Sequence, residues 1–206
     1  EIMLVTITNT GRMAQTVTPT AAIPLYGRSA DNIRDHRHVT SLLHRIETTD
    51  TGVLVTPTLS FDERGHQVNH MTYYCVGWSG NGEKPVDFYP TAEDFVGEGG
   101  NFERPYAIVK NAEGVKAGTK IEGLEAVGGL HFSEITLEPE EECSYLIFTG
   151  ITEDIQEIRN LSKTYTTREK VLEELEKTKA YWQEKVNVAY HTGDSDFNQF
   201  MHWVSF

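Results

Sequence analysis

The sequence predicts a mainly β chain that ends in helices, and three observations carry that prediction. From the start to about Ile151 apolar residues alternate with a period of two, the mark of half-buried strands. Clusters of Gly, Asn, Asp and Thr interrupt those runs at short intervals, as turns do. From Thr166 onward the apolar period becomes that of an amphipathic helix. The expected architecture is an antiparallel β-sandwich over residues 1–151 followed by a helical linker over residues 152–206.

Taken in order, Ile2 to Thr8 reads as a strand, Asn9-Thr-Gly11 as a turn and Arg12 to Thr18 as the antiparallel partner. His38 to Thr48 and Val53 to Phe61 read as two more strands around the turn Thr49-Asp-Thr-Gly52. Pro57 lacks an N–H, so the second of these is expected at a sheet edge or with a bulge. His70 to Trp78 is a further strand. Ser79 to Gly100 is an irregular excursion with one helical turn at Thr91 to Phe95, and loops of that length in a compact domain are functional or poorly ordered. Phe102 to Lys110 is expected to be extended, and Asn111 to Gly118 a polar turn. Leu130 to Leu137 and Ser144 to Ile151 form the last strand pair, the second apolar on both faces and therefore central, joined by the acidic hairpin loop Glu138-Pro-Glu-Glu-Glu142.

After the transition Thr152 to Tyr165, Thr166 and Glu169 stand three apart as a capping box, in which each side chain satisfies an N–H of the first turn. Val171, Leu175, Thr178, Trp182 and Val186 then form one stripe, with Glu and Lys on the other faces. His191-Thr-Gly-Asp194 is a turn, Ser195 or Asp196 an N-cap, and Phe197, Phe200, Met201 and Val204 recur at helical spacing. That helix meets no stop signal before Phe206, and Glu1 to Thr8 opens within a strand-like run. The chain is expected to be an interior segment of a longer protein.

A net charge of −13 and a pI near 5.0, with no cluster of Lys and Arg, argue against nucleic acid and acidic membranes as partners. No apolar run reaches the roughly 20 residues that span a bilayer. Cys75 and Cys143 allow one disulfide at most, and two buried free thiols are the plainer reading.

The chemistry offered by single residues is thin. His36-x-His38, with His66 and His70, could converge on a metal from strands, but no acidic ligand or Cys-x-x-Cys supports it, so no metal is expected. Phe61-Asp-Glu-Arg-Gly-His66 holds acid–base material and is equally what a hairpin is made of. Gly97-Glu-Gly-Gly100 lacks the strand and helix that a phosphate loop requires. Aromatic residues on and near the excursion could stack on sugar rings or serve the core, and Trp78, Phe88, Tyr89 and Phe102 are the candidate carbohydrate contacts. No nucleophile and base pair can be picked out.

The runs Ala30 to Glu47, Pro57 to Val68 and Gly123 to Cys143 resemble the N-terminal β-sandwich of glycoside hydrolase family 94, the cellobiose-phosphorylase-like inverting phosphorylases once grouped with glycosyltransferases. Tyr190-HTGDSDFNQFMHW-Val204 is similar to the Thr-x-Asp-x-x-Phe-Asn and Trp segment with which those enzymes enter an (α/α)6 catalytic barrel. Within the family the chain resembles the β-1,2-oligoglucan phosphorylases. The resemblance implies a galactose-mutarotase-like super-sandwich, present here only in part, and a barrel beyond this chain that supplies the general acid. It implies no catalytic residue in these positions, no cofactor, and inorganic phosphate as co-substrate of the whole enzyme. It further implies β-glucan oligosaccharides as ligands, homodimers whose sandwiches frame the active-site entrance, and a cytoplasmic location. The rival reading is a free-standing carbohydrate-binding or interaction module without catalysis.

Overall fold

The computed structural model describes residues 1–27, 37–62, 65–186 and 188–204. The chain divides into a compact unit, Glu1–Arg168, and a second unit from Glu169 onward. The first unit is the antiparallel sandwich that the period-two pattern predicts. One layer is a six-stranded sheet in the order β1 (Ile2–Thr8), β13 (Glu142–Thr152), β8 (Thr72–Ser79), β5 (Gly52–Val55), β4 (Arg45–Thr48), β10 (Lys120–Glu122). The facing layer is a three-stranded sheet, β3 (Thr20–Leu25), β11 (Ala126–His131), β9 (Asp87–Thr91). Two ribbons complete the unit: β2 (Gln15–Val17) pairs with β12 (Ile135–Leu137), and β6 (Leu59–Asp62) pairs with β7 (Gly65–Val68).

The core lies between the layers. Val53, Val55, Cys75, Tyr145 and Ile147 from the large sheet meet Leu25, Phe88, Ala126 and Leu130 from the small one. Gly128 allows the layers this close, since a Cβ there would stand 2.2 Å from the Cβ of Cys75. β13 is interior, paired with β1 on one side and β8 on the other. Its Tyr145 and Ile147 feed the inter-sheet core while Leu146 and Phe148 are buried on the opposite face, which is why its sequence is apolar throughout. On that opposite face Trp78 stacks on Phe148 with ring centroids 4.8 Å apart, and Phe148 stacks on Tyr165. Cys75 and Cys143 are both free thiols.

Several expected elements are corrected. β1 pairs with β13 and not with the segment after the first turn. Asn9 is the reason: it is buried, donates to Met13 O at 2.9 Å and Leu137 O at 2.8 Å, and accepts from Gly11 N, steering the chain away to pair as β2 with β12. The expected strand His38 to Thr48 is a short helix α1 (Arg37–Ser41), a turn closed by His44 N donating to Ser41 O, and β4. The expected strand Val53 to Phe61 breaks at buried Pro57 into β5 and β6. Phe102 to Lys110 ends not as extended chain but as helix α3 (Tyr106–Lys110), after α2 (Ala92–Val96) in the excursion. Leu130 to Leu137 is the end of β11 and a separate β12, so the acidic run 138–142 connects two sheets and is not a hairpin.

The transition after β13 contains a helix, α4 (Ile155–Thr164), capped by Asp154. In the second unit α5 (Arg168–Lys185) starts beside the expected capping box, and α6 (Ser195–Val204) follows. Asp194 caps α6 in place of Ser195 or Asp196: its Oδ1 accepts from the N–H groups of Asp196 and Phe197, both at 3.0 Å. Among the described residues no helix is long and apolar enough to cross a membrane.

Candidate functional site

Four aromatic residues stand as candidate sugar contacts, and the fold places them very differently. Trp78 is 2% exposed, stacked on Phe148, with Nε1 donating to Tyr165 O. Phe88 sits in the inter-sheet core. Tyr89 is buried against Phe95, and its hydroxyl donates to Ala112 O at 2.6 Å. Phe102 is 48% exposed and lies 5.9 Å from Phe95, centroid to centroid. A ring stacks on a sugar only through a face open to solvent, so of the four Phe102 alone has accessible surface of the needed kind.

The excursion nevertheless forms a concavity. α2, the start of α3 and residues 112–115 enclose a cleft of about 340 Å³ whose floor is Phe88 and Tyr89. One wall is α2, which begins where Thr91 Oγ1 accepts from Asp94 N at 3.0 Å and ends at Gly97. Gly97 has φ +81°, and a Cβ there would stand 2.7 Å from the Cβ of Tyr106, so glycine lets α3 close against the end of α2. The opposite wall is held to β9 by paired backbone bonds, Phe88 N to Val115 O at 2.9 Å and Val115 N to Phe88 O at 2.8 Å. Behind it His131 Nδ1 meets Asp87 Oδ1 at 2.6 Å, and Lys116 Nζ lies 3.9 Å from the other Asp87 oxygen. Tyr106 borders the cleft and is 52% exposed. Apart from Tyr89 and Tyr106, the cleft's ionisable lining groups are Glu93, Asp94, Glu98 and Glu113, all carboxylates. Burial, followed by the Asp87 charge, raises the Tyr89 hydroxyl above its ordinary range.

Elsewhere in the sandwich His44 is buried, with Nδ1 donating to Leu124 O at 3.1 Å and Nε2 unpaired. Burial lowers its pKa from 6.5, against the opposing pull of Leu124 O and the Glu125 charge. Burial also pushes the Cys75 thiol up to about 12. The pairing of His36 with His38 lies outside the described residues, as do Glu63 and Arg64 of the acid–base stretch. What is described of that stretch is the hairpin β6–β7, with Phe61 opposite His66 in register. Among the described residues no three His, Cys, Asp or Glu side chains are grouped to hold a metal ion.

In the second unit, the stretch that resembles the entry to a catalytic barrel is a self-contained clamp. Asn198 Oδ1 accepts from Thr192 N at 3.0 Å and Thr192 Oγ1 at 2.9 Å, while its Nδ2 donates to Thr192 O at 3.1 Å. Thr192, Asp194 and Asn198 are therefore committed to starting α6 rather than to chemistry. The sequence does not single out Tyr106, because Phe102 to Lys110 reads as extended chain, nor Glu113, because Asn111 to Gly118 reads as a polar turn, nor the acidic residues on and after α2. Pro105 before α3 and Asn111 in the left-handed conformation after it were the available signals.

Two layers of antiparallel strands with a helical second unit define a sandwich followed by a helical segment. The family model described as Glycosyl hydrolase 94, supersandwich domain, matches residues 1–168, the whole of the first compact unit. The chain belongs to that family. Among curated proteins no match is found.

Proposed function

We propose that this chain is the non-catalytic N-terminal portion of an inverting glycoside phosphorylase. The whole enzyme would cleave β-linked glucosyl disaccharides or oligosaccharides with inorganic phosphate and release α-glucose 1-phosphate. The observation that carries the reading is the match of the supersandwich domain across residues 1–168. In an inverting reaction the general acid protonates the glycosidic oxygen while a nucleophile attacks from the opposite face, and phosphate takes the place of the usual water. The acid is assigned to an (α/α)6 barrel joined to this chain through α5 and α6. The sandwich is assigned the tasks of contacting glucan and framing the active-site entrance within a cytoplasmic homodimer.

Phosphorolysis tests the assignment. A longer protein carrying this chain and the segment beyond it is expected to release glucose 1-phosphate from a β-glucosyl disaccharide and phosphate, while the 206-residue chain alone releases none. Turnover by the chain alone would place the general acid within it and overturn the non-catalytic role.

A further inference from the structure

We infer that the cleft between α2 and α3 is a saccharide subsite that holds an uncharged glucan unit and turns away a sugar phosphate. The inference rests on the phosphorylase reading, which makes the first a substrate and the second a product.

The cleft is built before any ligand arrives. One wall is fixed to β9 by the paired Phe88–Val115 bonds and by Tyr89 donating to Ala112 O, the other by the Thr91 cap of α2. Its volume of about 340 Å³ falls within the range of small-molecule sites. Tyr106 supplies a half-exposed aromatic ring at the border. A pyranose offers C–H groups on its faces and hydroxyls around its edge. An aromatic ring receives the first, and carboxylates accept hydrogen bonds from the second.

Asp94 Oδ2 accepts from Thr91 Oγ1 at 2.6 Å, and the other lining carboxylates are uncommitted. Tyr89 has spent its hydroxyl on Ala112, but the carboxylates of Glu93, Glu98 and Glu113 have no hydrogen-bond or ion-pair partner among the described residues. They are spread around the cleft rather than converging as a metal site does, which suits a ligand with hydroxyls on several sides. No Lys or Arg lines the cleft. A phosphate monoester, largely dianionic at neutral pH, would therefore meet negative charge with no cation in the lining to pair with it.

The test titrates the 206-residue chain with cellobiose, laminaribiose and sophorose, and in parallel with α-glucose 1-phosphate, following tyrosine resonances by NMR. At least one disaccharide is expected to bind, with glucose 1-phosphate weaker by about tenfold or more. Tyr106→Ala, at an exposed position, should abolish disaccharide binding without shifting the urea midpoint. Replacing Glu93, Glu98 and Glu113 together by Gln should shrink the discrimination. Binding of no disaccharide, equal binding of the phosphate ester, or disaccharide binding unmoved by Tyr106→Ala would each overturn the subsite. Phosphorolysis by a longer protein is scored separately: turnover there without binding here refutes the subsite and leaves the phosphorylase reading standing.

Discussion

Trp78 shows how a candidate ligand platform can instead be a structural pin. It is sealed between Phe148 and the backbone at Tyr165, so its ring and its N–H are both satisfied within the sandwich. Trp78→Ala is expected to destabilise the first unit by about 3–5 kcal/mol, the usual loss for emptying a buried aromatic site, read from the urea midpoint. Two titratable side chains give further expectations. With its thiol raised to about 12 by burial, Cys75 should resist alkylation in the folded chain while half-buried Cys143 reacts, and only denaturant should expose it, as counted by mass spectrometry. His44 has a folded pKa below its unfolded value of 6.5, so under acid the unfolded chain binds a proton that the folded chain resists. The unfolded state then binds more protons, and stability falls as pH drops through 6.5 toward the lowered folded value, while above 6.5 it is level. His44→Gln should flatten that part of the stability profile below pH 6.5, as followed by urea unfolding at each pH.

Local elements were legible wherever one pattern acted alone. Alternation marks β1 and β8, a run apolar on both faces marks β13, and Thr91 marks α2, because period, run and cap depend on residues close in sequence. Partners were not legible. Nothing local in Arg12 to Thr18 says that its mate is β12; that pairing is set by Asn9 reaching Leu137 across 128 positions. Misread helices had their own signals, outweighed by β-branched content. Val39, Leu42, Leu43 and Ile46 stand at spacings of three, four and seven, and α1 occupies the first of that run. For the candidate site, the sequence located the excursion but not its usable surface, because burial depends on which layer faces which. At this scale the α6 clamp is directly testable. Asp194→Ala removes the acceptor of two first-turn N–H groups and should destabilise α6 by about 1 kcal/mol, visible as faster amide exchange confined to that helix.

Across the whole molecule the apolar surface is unevenly distributed. The sandwich has a large buried core between and behind two sheets and leaves scattered apolar side chains such as Met13, Leu42 and Ile151 exposed, whereas α6 buries none of its residues and leaves Phe197, Phe200, Trp203 and Val204 exposed, Trp203 at 79%. On α5, Leu175, Tyr181 and Trp182 are exposed as well. Exposed apolar side chains of this size drive association, since burying one contributes about 1.5–3 kcal/mol. Opposing it is a net charge of −13, whose repulsion between copies is long-ranged in dilute buffer and screened to about 10 Å at 0.1 M salt. The two terms predict a sign. The 206-residue chain should self-associate more than a chain ending at Arg168, and added salt should increase its association, because screening removes the repulsion and leaves the apolar attraction. Sedimentation velocity on both lengths at low and moderate ionic strength measures this. If the two lengths sediment as monomers alike at every salt concentration, the exposed faces of α5 and α6 do not drive association. If association instead weakens with salt, the contact is electrostatic and lies on the charged surface rather than on these aromatic side chains.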